Sequence, residues 1–222
     1  MKYIELFGIR NTLQLEQIFV YLCMNTGQII VKEKISSEMG LNNLTVESYL
    51  SSLELSNLIH KVGSLDIGGK KSLKQKYKIY LTDAALRNAI LLKGDDVLTI
   101  PEEMGLIVET AVFNHINYFI KNKIQIGYWR ENKTDKEVDI VVKMPKEELL
   151  AFEVKYRENV RISSDDGLVR FANEIKDIKP FIVTKSSEQI GTFETGGIKI
   201  FKIPAFLFLY LFGAHRSLEL MI

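Results

Sequence analysis

Two strand-like runs, 137–143 and 149–156, separated by the five residues 144–148, constrain this chain more than any other feature. So short a connection joins antiparallel neighbours, because a parallel crossover needs a dozen or more residues. Strand alternation puts Val138, Ile140 and Val142 on one face of the first run and Asp139 on the other. In the second, Phe152 and Val154 share a face, with Glu153 and Lys155 opposite. With 144–148 as the loop, Lys143 pairs with Leu149, and the same register sets Asp139 opposite Glu153. A one-residue slip would separate them. Carboxylates facing each other at about 5 Å between Cβ atoms weaken a sheet, so the pattern calls for a cation between them. Oxygen ligands of this kind suit magnesium or manganese. Lys155, on the same face as Glu153, is placed to orient a water or to stabilise charge on a phosphate.

A third acid comes from a long helix expected over 101–120, with Pro101 in its first turn and Glu102 and Glu103 favourable to its dipole. Leu106, Val112, Phe113 and Ile116 surround Glu109 at helical spacing, which puts a carboxylate in the apolar stripe. Glu109 either reaches the same cation as Asp139 and Glu153, or pairs with an arginine such as Arg130 or Arg170. A Glu-x-Lys alternation alone is equally a solvent-facing strand. The ordered set of helix acid, strand Asp and Glu-x-Lys on the partner strand singles the site out.

The rest of the chain frames that site. Its 222 residues suit two small domains, divided near residue 95 into 1–94 and 95–222. Leu15, Ile18, Phe19, Leu22 and Cys23 mark a helix closed by Gly27, with Cys23 a buried structural thiol. A short helix over 33–39 ends at Gly40, and Asn42 or Asn43 caps a third that buries Val46, Tyr49, Leu50 and Leu53. Strand-like runs at 59–62 and 76–81 flank the glycine- and lysine-rich stretch 63–75. Helices joined by a tight glycine turn and followed by a long hairpin make a winged helix-turn-helix. In the second half, runs at 124–131, 137–143 and 149–156 form a meander, and a helix over 166–176 leads to runs at 180–184 and 198–203. Pro204 then opens an apolar helix. The expected class is α/β of the α+β kind, a mixed sheet flanked by helices.

Glu109, Asp139, Glu153 and Lys155, in this order on helix, strand and next strand, resemble the PD-(D/E)XK nuclease superfamily. The whole chain is similar to the C-terminal half of archaeal and bacterial AAA-type ATPases, in which a winged helix precedes such a nuclease-like domain. The carrying segments are 45–50, 80–83 with Leu86-Arg87, 109–113, 137–139 and 153–155. The resemblance implies a nuclease-like fold and magnesium-dependent (or manganese-dependent) phosphodiester hydrolysis of DNA, with Glu109, Asp139 and Glu153 as metal ligands and Lys155 supporting the reaction. The ATPase half of such proteins is not in these residues. The stretch 63–72 has its glycines and lysines misspaced for a phosphate-binding loop, so no ATP site is assigned. Either the gene is short or the chain belongs to a longer one.

Charge limits where nucleic acid can bind. With 29 basic against 28 acidic residues there is no overall basic character, so a DNA surface must be local. Residues 41–58 carry no Lys or Arg, poor chemistry for a recognition helix. Lys61, Lys70, Lys71, Lys74, Lys76 and Lys78 against the single Asp66 make the hairpin a phosphate-gripping candidate; lysines guarding sheet edges, or a unit docked on an ATPase domain or another protein, are the alternatives. The C-terminal apolar helix is expected in the core, with a homodimer or interdomain contact as the alternative. One cysteine and three scattered histidines supply no disulfide and no zinc set. With no signal-peptide pattern and a longest apolar run of about eight residues, no membrane role and a cytoplasmic location are expected. The class that competes with a nuclease is a non-catalytic DNA- or protein-binding regulatory module on the same fold.

Overall fold

A computed structural model describes residues 11–65, 76–120, 123–131 and 134–219, with the side chains of the last helix described through Ala214. The chain is mixed α and β. Its N-terminal part runs α1 (Thr12–Met24), β1 (Ile29–Val31), α2 (Lys32–Met39), α3 (Asn43–Leu55), β2 (Ile59–Gly63), β3 (Lys76–Leu81) and α4 (Ala84–Ile90). Asn11 and Asn42 cap α1 and α3 through their side-chain oxygens, and Gly40 closes α2 in the left-handed conformation. The first helix ends earlier than expected, at Asn25, and Gly27 serves instead in the turn that follows. Strand β1 escaped the sequence pattern because three residues carry no period; it completes an antiparallel sheet in the order β1-β3-β2. Cys23, Val46, Leu50, Leu53 and Ile79 are buried in one core beneath it.

A short 3-10 helix (Asp95–Thr99) leads into α5 (Pro101–Phe119). Beyond lie β4 (Gln125–Arg130), β5 (Glu137–Lys143), β6 (Leu149–Lys155), α6 (Gly167–Glu174), β7 (Ile178–Thr184), β8 (Gly191–Thr195), β9 (Ile198–Pro204) and α7 (Ala205–Glu219). These strands form a six-stranded sheet in the order β4-β5-β6-β7-β9-β8. The meander β4-β5-β6 is antiparallel, the crossover through α6 makes β6-β7 parallel, β7-β9 is parallel, and β8 closes a hairpin on β9. One face packs Ile140, Val142, Phe152 and Val183 against α5 and α7; the other packs Val141, Ala151, Ile182 and Ile200 against α6.

The two sheets are not independent. Val62 and Tyr80 of the N-terminal sheet belong to the same apolar core as α5, and the Tyr80 and Phe113 rings stack at 4.0 Å. Leu65 donates its N–H to the Tyr128 carbonyl at 2.8 Å, and the Arg87 guanidinium pairs with Glu103 across the connection. Strand β3 is thereby held against the start of β5, and this contact makes the site. The helix α7 departs from the burial expected for it: Ala205 and Phe208 are covered, while Phe206 and Tyr210 are 62% and 70% exposed. The described residues therefore cover one side of this all-round apolar helix and not the other. Among the described residues, no helix is long and apolar enough to cross a membrane.

Candidate functional site

The expected register holds, since Lys143 pairs with Leu149 and the ladder continues to Ile140 opposite Phe152. It stops there, one pair short of Asp139 and Glu153. On the other side of β5, Val138 and Val141 are three residues apart where their partners Trp129 and Gly127 are two apart, so β5 carries one extra residue at Asp139–Ile140. Such a bulge turns the strand and re-aims its side chains. The consequence is visible in the packing: Val138 lies in the core on the α6 side and Ile140 in the core on the α5 side, although simple alternation put them on one face. Asp139 is turned into the fork between β5 and β6, where its Oδ2 accepts the Val154 N–H at 2.9 Å. A side chain thus completes the ladder where the backbone leaves it.

Glu109 reaches the same place from α5. Neither Arg130 nor Arg170 is its partner: Arg130 pairs with Asp135 and Glu137, Arg170 with Glu131 and Asp165. Its partner is Lys78 of β3. The Lys78 Nζ lies 2.8 Å from Asp139 Oδ1, 3.0 Å from Glu109 Oε1 and 3.6 Å from Glu137 Oε1, and its side chain is 1% exposed. The Tyr80 hydroxyl, two residues on along β3, donates to Glu109 Oε1 at 2.8 Å. Gly27 covers the Glu109 carboxylate so closely that a Cβ there would sit 3.1 Å from Oε1. Burial opposes the charge on Lys78, but Asp139, Glu109 and Glu137 outweigh it and hold the ammonium well above the ordinary lysine value. Burial, and then the charge of Asp139, push Glu109 up to about 7 even with Lys78 beside it.

Glu153 comes from the other side. Phe152 and Val154 belong to the core facing α5, so alternation aims Glu153 and Lys155 toward α6. The Lys155 Nζ accordingly lies 3.3 Å from Asp166 Oδ2, at the start of α6. Burial raises the Glu153 carboxyl well above the carboxylate range, with Asp139 adding to it, and its Oε2 is buried without a hydrogen-bond partner. Glu109, Asp139 and Glu153 are therefore electrostatic neighbours, yet they do not share a ligand shell: among the described residues no three His, Cys, Asp or Glu side chains are grouped to hold a metal. In this arrangement the residues do not fit a divalent ion. The oxygens of Asp139 and Glu109 that would face it are taken by an ammonium.

Lys78 therefore leaves the set of lysines expected to contact DNA, because β3 turns from solvent into the interface between Lys76, which is exposed, and Lys78, which is buried. Lys61 is largely engaged as well, paired with Glu47 at 3.1 Å and Glu54 at 3.4 Å. Lys76 remains open to solvent; Lys70, Lys71 and Lys74 lie outside the described residues. Sequence reasoning missed Lys78, Tyr80 and Glu137 as members of the site. The available signal was the shared parity of Lys78 and Tyr80 in β3, which predicts one face but not what that face meets.

Two family models match the chain, a domain of unknown function (DUF8612) over residues 3–96 and a domain of unknown function (DUF4143) over residues 104–206. An uncharacterized protein of Haemophilus influenzae is 27% identical over 208 residues, covering 90% of this chain. The chain spans about half, 47%, of that curated relative's length. No solved structure matches it.

Proposed function

We propose that the chain is a DNA-acting module: a winged helix docked on a PD-(D/E)XK nuclease-like sheet whose acidic site serves phosphodiester hydrolysis. The observation that carries this reading is the side chain of Asp139, bulged into the fork of β5 and β6, with Glu109 on one side and the buried, unpartnered Glu153 Oε2 on the other. A fold that brings three largely covered acids within electrostatic reach of one another bears a desolvation cost that apolar residues would avoid, and a catalytic role accounts for it. Lys155 is the group that would neutralise charge on a phosphate, with Asp166 holding its ammonium in place. Magnesium or manganese is the ion this reading calls for, and the docked arrangement does not accept one. DNA is the proposed partner through Lys76 with Lys70, Lys71 and Lys74, by phosphate contacts without base reading. The exposed Phe206, Tyr210 and Leu211 of α7 suit a protein neighbour, either a second copy or an ATPase domain in a longer chain.

The test is cleavage of duplex, single-stranded and branched DNA with magnesium or manganese by the wild type and Asp139→Asn. Scission that Asp139→Asn removes supports the reading, and scission that survives it places the activity elsewhere. The second reading is a non-catalytic DNA- or protein-binding module, favoured by the pairing of Lys78 with the acids. It expects salt-dependent DNA binding, a smaller salt slope after replacement of Lys70, Lys71 and Lys74, and no scission with either ion.

A further inference from the structure

The segment between β6 and α6 leaves the sheet beside Lys155 and is clamped at one point. The Arg157 N–H donates to the Lys155 carbonyl at 2.8 Å, so the chain turns as soon as the strand ends. Three residues on, both backbone groups of Val160 are taken by side chains. Its N–H donates to Gln189 Oε1 at 3.2 Å, and its carbonyl accepts from Lys202 Nζ at 2.6 Å. The Val160 side chain is buried in the core on the α6 side. Arg157 and Arg161 lie on either side of this clamp along the chain, and both are exposed. A fixed backbone thus presents two guanidiniums, which lowers the ordering cost of gripping a ligand.

The charges around these arginines do not cancel. Of the acids in 156–166, Glu158 pairs with Lys185 at 2.7 Å, Asp165 with Lys136 and Arg170, and Asp166 with Lys155. Arg87, Arg130 and Arg170 are each ion-paired, whereas Arg157 and Arg161 have no anionic partner among the described residues. The clamping Lys202 is buried, and its contacts are the Val160 carbonyl and the Phe193 ring, whose centroid is 4.2 Å away. Burial, and then the charge of Lys155, hold its ammonium below the ordinary lysine value. We propose that Arg157 and Arg161 grip the phosphate backbone of a nucleic acid and lead it to Lys155. The inference deepens the DNA-acting reading and rests on it, since that reading makes Lys155 the group that meets a phosphate. It adds a contact on the loop of the sheet itself, separate from the lysines of the β2–β3 hairpin. A guanidinium offers two parallel N–H donors to a phosphate, and such contacts fix position without reading sequence.

Fluorescence anisotropy with labelled duplex and single-stranded oligonucleotides tests this over a series of salt concentrations, in EDTA so that neither an ion nor cleavage enters the measurement. The full chain is compared as wild type, as Arg157→Gln with Arg161→Gln, and as Arg157→Lys with Arg161→Lys. Both side chains are exposed, so native circular dichroism is expected of all three. The Gln pair should lose about tenfold in affinity at moderate salt and about two units of the salt slope, and the Lys pair should keep most of the slope. An unchanged slope and affinity in the Gln pair, with binding by the wild type, overturns this surface and leaves the DNA-acting reading on the hairpin lysines. A slope that the Lys pair loses as fully as the Gln pair overturns charge as the cause. No binding by the wild type at low salt overturns the DNA-acting reading and this contact with it. Polyglutamate bound as tightly as DNA, and lost in the same Gln pair, overturns nucleic acid as the partner in favour of an acidic protein segment.

Discussion

Replacing Asp139 removes the nearest of three carboxylates around a buried ammonium, and the cost is set by what remains. Breaking one partner from a buried ion pair costs about 3–5 kcal/mol when the other charge is left alone. Lys78 is not left alone, since Glu109 at 3.0 Å and Glu137 at 3.6 Å stay. Glu109 also recovers charge, because Asp139 is one of the causes that hold its carboxyl up at about 7. The ionic loss therefore falls to about 2 kcal/mol. Asp139→Ala loses in addition the acceptor of the Val154 N–H, an unmade buried bond worth about 1–3 kcal/mol. The expected totals are about 3–5 kcal/mol for Ala and about 2 kcal/mol for Asn, which keeps an amide oxygen in the fork. With a urea slope of about 2–3 kcal/mol per molar, the midpoint drops by about 1–2.5 M for Asp139→Ala and by about 0.7–1 M for Asp139→Asn. Urea unfolding followed by circular dichroism measures both. A drop below about 0.3 M for Asp139→Ala refutes the buried pairing, and equal drops for the two variants refute the role of the Val154 bond. For the same reason Asp139→Asn, and not Asp139→Ala, is the variant for cleavage assays: loss of activity in Ala would mix chemistry with unfolding.

Three further outcomes follow from particular contacts. The Cys23 thiol is fully buried and pushed by burial up to about 11, so at pH 8 it should resist a thiol reagent in the native protein and react only along the urea unfolding curve; fast labelling without urea would contradict its burial. The bonds from Arg87 and then Lys93 pull Glu103 down to about 2. A depressed carboxylate stabilises above its unfolded value of 4.5 and loses that contribution as pH falls toward 2. Discounted for screening, Glu103→Gln should cost about 1–2 kcal/mol at pH 7, with the difference from wild type vanishing near pH 2; a constant difference across pH would rule out the ionic contribution. Gly27→Ala combines a φ of +74° with a Cβ placed 3.1 Å from Glu109 Oε1. It should lose about 1–2 kcal/mol in urea unfolding, and a neutral result would mean that the turn does not press on Glu109.

Periodicity made most of the described elements legible: the helix over 101–120 spans Pro101–Phe119, and the run over 137–143 spans those residues. Elements too short to show a period were lost, namely β1 with three residues and β8 with a glycine and two threonines among its five. The five-residue loop set the register of β5 and β6 correctly from Lys143 to Ile140. What alternation could not foresee was the bulge at Asp139–Ile140, which depends on how β4 pairs on the far side of β5. That one extra residue turns Val138 and Ile140 to opposite layers and moves Asp139 from a cross-strand pair into the fork. The α7 helix meets its expected core packing only in part, through Ala205 and Phe208 with Leu207, Leu209 and Phe212 packed against the same core. An apolar sequence measures the tendency to be covered, and the described residues cover only the side that carries Phe208.

Lys78 shows how a local sign can invert a residue's role. Counted along the chain, it is the last of six lysines in a basic stretch that otherwise meets only Asp66, and a basic stretch predicts contact with phosphates. In the fold its anionic partners come from within the chain: Asp139, Glu109 and Glu137 arrive from two other elements. The carboxylates carry the complementary argument. Acids crowded at a strand junction require a cation, and the chain supplies one covalently, as the ammonium of Lys78. The tethered ammonium has an advantage of local concentration, since it needs no free ion and its strand is already fixed by Tyr80, Asn114 and the paired threonines. As long as these contacts keep β3 on α5 and β5, the carboxylates are neutralised from within the chain, by a lysine that local charge alone would have assigned to the surface.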